Sequence, residues 1–269
     1  MNPQEQPSNS TASPLATVED TSHGSQKTEN LGKCLILTLV RHGQSQSNVC
    51  RHLSGGRFDP LTDCGYSQAE QLSKDLSSMH IDHLISSPYT RALDTARVIG
   101  RNNIERPGLK PEEDELIIEQ YHGPAVEAAR SAGNGDLAYE LRTGQSSFLA
   151  YGRPTFPPRS YSPPGGESLE SVSRRARITL RRYLRWYGGS FSSMPDVPID
   201  STNLIDGVPH VVMVSHNIFL TEFYETMLFF NDPSQRYDTP VNWGNASWAR
   251  YIVFYDGERL ELKTMKQPS

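Results

Sequence analysis

The sequence predicts an α/β protein: a three-layer α/β/α sandwich with a mostly parallel central sheet. Three observations point there. Short apolar runs such as CLILTLV (34–40) and HVVMVS (210–215) read as strands buried on both faces. Helical patterns separate these runs, and that alternation is the signature of parallel strands joined by crossover helices. The chain has 269 residues, 36% of them hydrophobic, enough for one sizeable core.

Residues 1–31 are Ser, Thr, Gln, Glu, Pro and Asn with few large apolar groups. Such a segment buries too little surface to offset its ordering entropy, so a disordered tail is expected, followed by one domain over 32–269. The strand CLILTLV runs straight into Arg41-His42-Gly43. Thr62 to Ser78 is helical in pattern, with Thr62 as N-cap. HLISS (83–87) is a second strand, and Pro88 opens a helix that places Tyr89, Ala92, Leu93, Ala96 and Ile99 on one face. ELIIE (115–119) reads as a third strand. The Gly-, Pro- and Tyr-rich stretch 121–165 reads as a cap-like segment with a short helix near 124–131. Glu167 to Tyr187 is the clearest helix, its apolar stripe running from Leu169 through Val172, Ala176, Leu180 and Leu184. Residues 188–209 read as an exposed insertion. HVVMVS leads into His216 and a helix through about Phe229. WARYIVFY (248–255) and LELKT (260–264) form a closing hairpin across Asp256-Gly257.

Composition narrows the function. A net charge of -5 and a pI of about 5.9 give no general affinity for nucleic acid or an anionic membrane surface. The three cysteines, Cys34, Cys50 and Cys64, are odd in number and lack a CxxC, which fits neither a disulfide framework nor a zinc site. The sequence shows no secretory h-region and no apolar run long enough to span a bilayer, so a cytoplasmic protein is expected, with the nucleus as a second possibility. No carboxylate or His/Cys cluster suggests a metal, and no cofactor is expected.

Two strands end in a histidine, LTLV-RHG at His42 and VVMVS-H at His216. Ligands of open α/β sheets bind beyond the carboxyl ends of the strands. Ser86-Ser87-Pro88-Tyr89-Thr90-Arg91 leaves a third strand at the same edge, and Glu119 closes the expected fourth. Two His, two Arg and one carboxylate would thus meet in one crevice.

These motifs resemble the histidine phosphatase superfamily, also called phosphoglycerate mutase-like, over about residues 34–264. They stand here as LVRHGQSQSN (39–48), LTDCGYSQA (61–69), SSPYTRALDTA (86–96), IIEQYHG (117–123), PPGGESLESVSRR (163–175) and VVMVSH (211–216). PPGGESLE looks particularly like the small fructose-2,6-bisphosphatases of the glycolysis-and-apoptosis-regulator type. The resemblance implies a phosphoglycerate mutase-like fold and a phosphatase with His42 as the nucleophile that becomes phosphohistidine. It implies Arg41, Arg91 and His216 around the phosphoryl group, Glu119 as acid and base, and Asn48 and Gly55 among the substrate contacts. The physics agrees: phosphoryl transfer is mostly positioning and charge stabilisation, and forked guanidinium donors match phosphate geometry. Flanking cations disfavour protonation of His42, so a neutral nucleophile is expected.

The sequence departs from the family at Gln44, where Glu is common, and at Asn217, where Gly usually follows the second histidine. It lacks the longer segment after Glu119 expected of dedicated mutases, which favours hydrolysis. Two alternatives stand beside a metal-independent phosphatase of a small phosphorylated metabolite. One is a phosphoglycerate mutase. The other is a catalytically weak relative that binds phospho-ligands or a protein partner. Arg57, Arg153 and Arg159 are candidate contacts for a second phosphate of a sugar bisphosphate; Cys50 and His52 read as local packing. The sequence leaves oligomeric state open.

Overall fold

In the computed structural model the described residues are 31–50, 55–145, 157–197, 204–235 and 242–266. The expected tail 1–31 lies outside them apart from Leu31, as do His52 and Arg153. Strand β1 (Gly32–Arg41) carries the apolar run seen in the sequence, and Leu35, Ile36, Leu37, Leu39 and Val40 are fully buried. Its side chains alternate between two cores because layers cover both faces of the sheet. Leu35, Leu37 and Leu39 meet α6 (Leu169–Tyr187) and α7 (Asn217–Leu228). Val40 points to the opposite core, formed with α2 (Asp63–Leu76) and α3 (Thr90–Asn102).

β1 pairs in parallel with β5 (His210–Ser215), and β5 in parallel with β2 (His83–Ser86). β2 ends the row by pairing with the two-residue β3 (Glu112–Glu113). On its other side β1 pairs antiparallel with β6 (Trp248–Tyr255), which forms the expected hairpin with β7 (Leu260–Lys266). The order β3-β2-β5-β1-β6-β7 is therefore mixed: a parallel half that ends in the candidate residues and an antiparallel half that closes the sheet.

Several elements differ from expectation. ELIIE is not a strand: Glu115–Ile117 is a 3₁₀ turn. Its carbonyls go to side chains instead of a ladder, Leu116 and Ile118 to Arg175 Nη1 at 2.8 Å and Ile117 to Ser215 Oγ at 2.6 Å. Glu119 accordingly follows a turn, not a strand. The helix after Pro88 starts later, at Thr90 with Tyr89 as N-cap. Thr62 caps α2 as expected, accepting the Gly65 N–H. The cap-like segment holds α4 (Pro124–Ser131) and a second helix, α5 (Gly135–Thr143), around a small core of Val126, Ala129 and Ala138. The insertion opens with β4 (Gly189–Phe191), antiparallel to the start of β1.

Candidate active site

The carboxyl ends of β1, β2 and β5 deliver Arg41-His42, Ser87 and His216 to one edge. β6 runs the other way, so the loop before it, Gly244-Asn245-Ala246, lies at that edge as well. His42 is clamped through its backbone: its N–H donates to Ser215 O, and its carbonyl accepts from Ala246 N and Asn245 Nδ2. Ala246 is the one non-glycine among the described residues with a left-handed backbone, at φ 55. Such strain clusters at functional sites. Gly43 is required by a close crossing: a Cβ there would lie 2.5 Å from Gly65 O.

The imidazole of His42 has a defined tautomer. Its Nδ1 sits 2.6 Å from Gly43 O, and a carbonyl only accepts, so Nδ1 carries the proton. Nε2 therefore presents a lone pair, which faces Arg91 Nε–H at 3.2 Å. Burial first, and then the Arg91 charge, hold the His42 pKa well below its usual value. The ring is neutral at pH 7, as a nucleophile must be.

His216 stands beside it, ring centroids 5.1 Å apart. Its pKa is likewise held well below normal by burial and then by Arg91. Nε2 is 2.8 Å from Ser87 Oγ, which also accepts the Tyr89 N–H. When Ser87 donates its own proton to Nε2, His216 Nδ1 bears a hydrogen; that atom is buried without a protein partner. Arg41 shares this incompleteness. One arm donates to Trp243 O, while its Nε is buried and unpartnered. Buried donors without partners are rare and await a ligand or water.

Arg91 is nearly fully buried. Its Nη1 donates to Gly56 O at 2.9 Å and lies 3.6 Å from Asp59 Oδ2. Asn48 Oδ1 accepts from Ser45 N and from Asn245 Nδ2, which leaves its amide N–H groups for a ligand. Gly55 packs beside Ser47, where a Cβ would come 3.2 Å from Oγ. Glu119 lies in the field of both Arg41 and Arg91. It is oriented by three backbone N–H donors: Gln120 at 2.9 Å, Phe219 at 3.2 Å and Ile218 at 3.3 Å. The last two belong to the first turn of α7, so the carboxylate seals the helix that follows His216.

Asn217 replaces the usual glycine without strain. It is the first residue of α7, and its Oδ1 accepts the Trp243 N–H at 2.8 Å, which holds the loop that receives Arg41. Arg57 and Arg159 are committed elsewhere. Arg57 pairs with Glu115 at 2.9 Å on the surface, and Arg159 with Glu222 and Glu225 of α7. Sequence reasoning missed Asp59, Asn245 and the role of Ser87. Only Ser87, inside the quoted SSPYTR motif, had a local signal.

The model of the histidine phosphatase superfamily (branch 1) matches residues 37–192. Fructose-2,6-bisphosphatase TIGAR B of Danio rerio is 34% identical over 200 residues, covering 68% of this chain and 71% of that protein. The solved mycobacterial glucosyl-3-phosphoglycerate phosphatase aligns with a TM-score of 0.56 at 23% identity, over 86% of this chain and 97% of its own. Phosphoglycerate mutase from Bacillus anthracis aligns with a TM-score of 0.55 at 20% identity, over 88% and 94%. The shared fold is the phosphoglycerate mutase-like α/β sandwich.

Proposed function

The chain belongs to the histidine phosphatase superfamily, and from that premise we propose that it hydrolyses a small phosphorylated metabolite through a phosphohistidine on His42. The observation that carries this reading is the His42 imidazole: neutral, tautomerically locked by Gly43 O, with its Nε2 lone pair facing an arginine donor. In the first step Nε2 attacks phosphorus and the bond to the leaving oxygen breaks. Arg41, Arg91, Asn48 and His216 neutralise the equatorial oxygens. Glu119 supplies the proton to the leaving oxygen and then takes one from the water that attacks phosphohistidine. Glu167 is instead committed to an ion pair with Arg175, which donates to both of its oxygens.

The resemblance to fructose-2,6-bisphosphatases supports a sugar bisphosphate as substrate class. In this reading the reaction is metal-independent: the Arg41 and Arg91 guanidinium groups neutralise the negative phosphoryl charge that a metal ion would otherwise neutralise. Among the described residues no group of His, Cys, Asp or Glu fits a metal ion, and no helix is long and apolar enough to cross a membrane. We place the protein in the cytoplasm. A phosphate-release screen over a metabolite panel, with and without EDTA and with the His42→Ala variant as blank, tests the reading. Release that depends on His42 and survives EDTA supports it; release that needs an added divalent ion defeats it. The likeness to mutases keeps one second reading in view. Conversion of 3-phosphoglycerate to 2-phosphoglycerate, in place of free phosphate, would establish it.

A further inference from the structure

We propose that Asp59 is a positioning residue of the phosphoryl pocket, turning Arg91 so that the Nε/Nη2 edge of the guanidinium, not its Nη1 end, meets the phosphoryl group. The proposal rests on the phosphatase reading above. A guanidinium is planar and its five N–H bonds have fixed directions, so anchoring one nitrogen decides which edge remains for a ligand. Here Nη1 donates to Gly56 O at 2.9 Å, and the Asp59 carboxylate stands beside it as an ion pair at 3.6 Å, a charge contact longer than a hydrogen bond. Nε points at His42 Nε2, the atom that bonds phosphorus. The edge shared by Nε and Nη2 is thereby aimed at the reacting group, in the geometry of a bidentate oxyanion contact.

Asp59 is itself held rigidly. Its side chain is 2% exposed. Oδ1 accepts the Ser47 N–H at 3.1 Å and Oδ2 the Ser47 hydroxyl at 2.7 Å. Ser47 belongs to the one-turn helix α1 (Gln46–Val49) that follows the Arg41-His42-Gly43 loop, whereas Arg91 belongs to α3. One carboxylate therefore sets the phosphate loop against the helix that supplies the second cation. The same segment reinforces the join: Arg57 O accepts the Thr90 N–H at the start of α3, and Pro60 O accepts the Gln46 N–H.

A competing account makes the opposite prediction. If Asp59 only cancelled positive charge in the pocket, its neutralisation would tighten anion binding. If it positions Arg91, neutralisation frees the fork to rotate and weakens binding. Asp59→Asn separates the two, because the amide keeps the shape and can still accept from Ser47 while losing the charge.

The test is calorimetric titration with inorganic phosphate and with orthovanadate, on wild type, Asp59→Asn, Arg91→Lys and the double variant. The positioning role predicts a roughly tenfold higher phosphate Kd in Asp59→Asn, the scale of one charge-assisted hydrogen bond. A parallel fall in kcat/KM for p-nitrophenyl phosphate is expected. In the Arg91→Lys background, where no fork remains to be turned, Asp59→Asn should add less than about twofold. Unchanged or tighter phosphate binding in Asp59→Asn overturns the proposal, and so does an equal loss in the Arg91→Lys background. Failure of the wild type to bind either anion is a different result, which defeats the phosphatase reading itself. Should Asp59→Asn not fold, Ser47→Ala removes the 2.7 Å donor and keeps the charge. A phosphate Kd raised by about threefold or more then supports the role, and an unchanged Kd overturns it.

Discussion

Strand β5 begins on one buried histidine and runs out into another, and the two are built differently. His210, at its amino end, is satisfied on both sides: Nδ1 donates to His80 O at 2.8 Å, and Nε2 lies 2.7 Å from Thr38 Oγ1. His216, just past its carboxyl end, uses Nε2 on Ser87 and leaves Nδ1 buried without a partner. Both rings have pKa values below the usual 6.5, chiefly from burial, with His210 lowered to about 4. Depressed basicity therefore does not separate a core histidine from a working one. What sets His216 apart from His210 is incomplete hydrogen bonding at the sheet edge that carries His42, because an unpaired buried polar atom costs free energy unless a ligand or water completes it. The bare atoms at the carboxyl edge belong to His216, whose ring lies 5.1 Å from that of His42, and to Arg41, the residue before His42.

The largest test of this contrast is on the nucleophile. His42→Ala should lower kcat by roughly ten-thousandfold or more, the scale seen when a nucleophile is removed. With labelled substrate and an alkaline quench, wild type should carry an acid-labile, alkali-stable phosphoryl group that the variant lacks. Labelling of His42→Ala at the wild-type level would break the mechanism.

Next in size is Glu119. If it protonates the leaving oxygen, Glu119→Gln slows an alkyl phosphate ester by roughly a hundredfold, and p-nitrophenyl phosphate much less, because nitrophenolate needs little protonation. Equal losses on both esters would remove Glu119 from the role of acid and leave it as the N–H acceptor that holds α7.

How much of the site was legible follows from how far apart in the chain its contacts are. Arg41, His42, Arg91 and His216 each sit where a buried strand or its following turn ends, a local pattern that periodicity exposes. The residues that orient them come from elsewhere. Trp243 reaches Arg41 from about two hundred positions away, and Asp59 reaches Arg91 from thirty-two. No window of sequence encodes such a pairing. The misread of ELIIE has the same origin: a short apolar run suits a strand or a turn equally, and Arg175 and Ser215 decide between them by taking its carbonyls. The mixed sheet was half legible. The closing hairpin was clear, but not that its first strand lies against β1.

His210 sharpens the comparison through stability. Its folded pKa, about 4, lies below the unfolded value near 6.5, so the unfolded chain binds the proton first as pH falls. The stability tied to its neutral form is fully present above pH 6.5 and is lost progressively between 6.5 and 4. This amounts to roughly 3 kcal/mol at the lower limit. His42, His216 and His122 are lowered as well and steepen the same window. Urea denaturation at several pH values should show His210→Gln less stable than wild type at pH 7, with a shallower acid slope by about one proton. Specific activity per folded molecule should stay near wild type. An unchanged slope would mean that His210 is protonated alike in both states.

The smallest expected effect concerns the arginines that the sequence offers as contacts for a second phosphate. Arg159 faces Glu222 and Glu225, whose side chains are 3% and 4% exposed, so Arg159→Ala withdraws a cation from two buried carboxylates. It should cost roughly 2 kcal/mol or more of stability. Arg57 is 47% exposed, and its partner Glu115 64% exposed. Water screens such a pair, and breaking it is worth about 0–1 kcal/mol. A distal phosphate held by Arg57 would be bound alike in the ground and transition states, so its loss would raise KM and spare kcat. The ion pair argues against that role, because a fork already occupied by a carboxylate must first release it. Arg57→Ala should therefore change KM for fructose 2,6-bisphosphate by less than about twofold, with kcat unaltered. A tenfold rise in KM with constant kcat would reverse this: Glu115 would then be a placeholder that the substrate displaces, and the rim of the pocket would read a second phosphate after all.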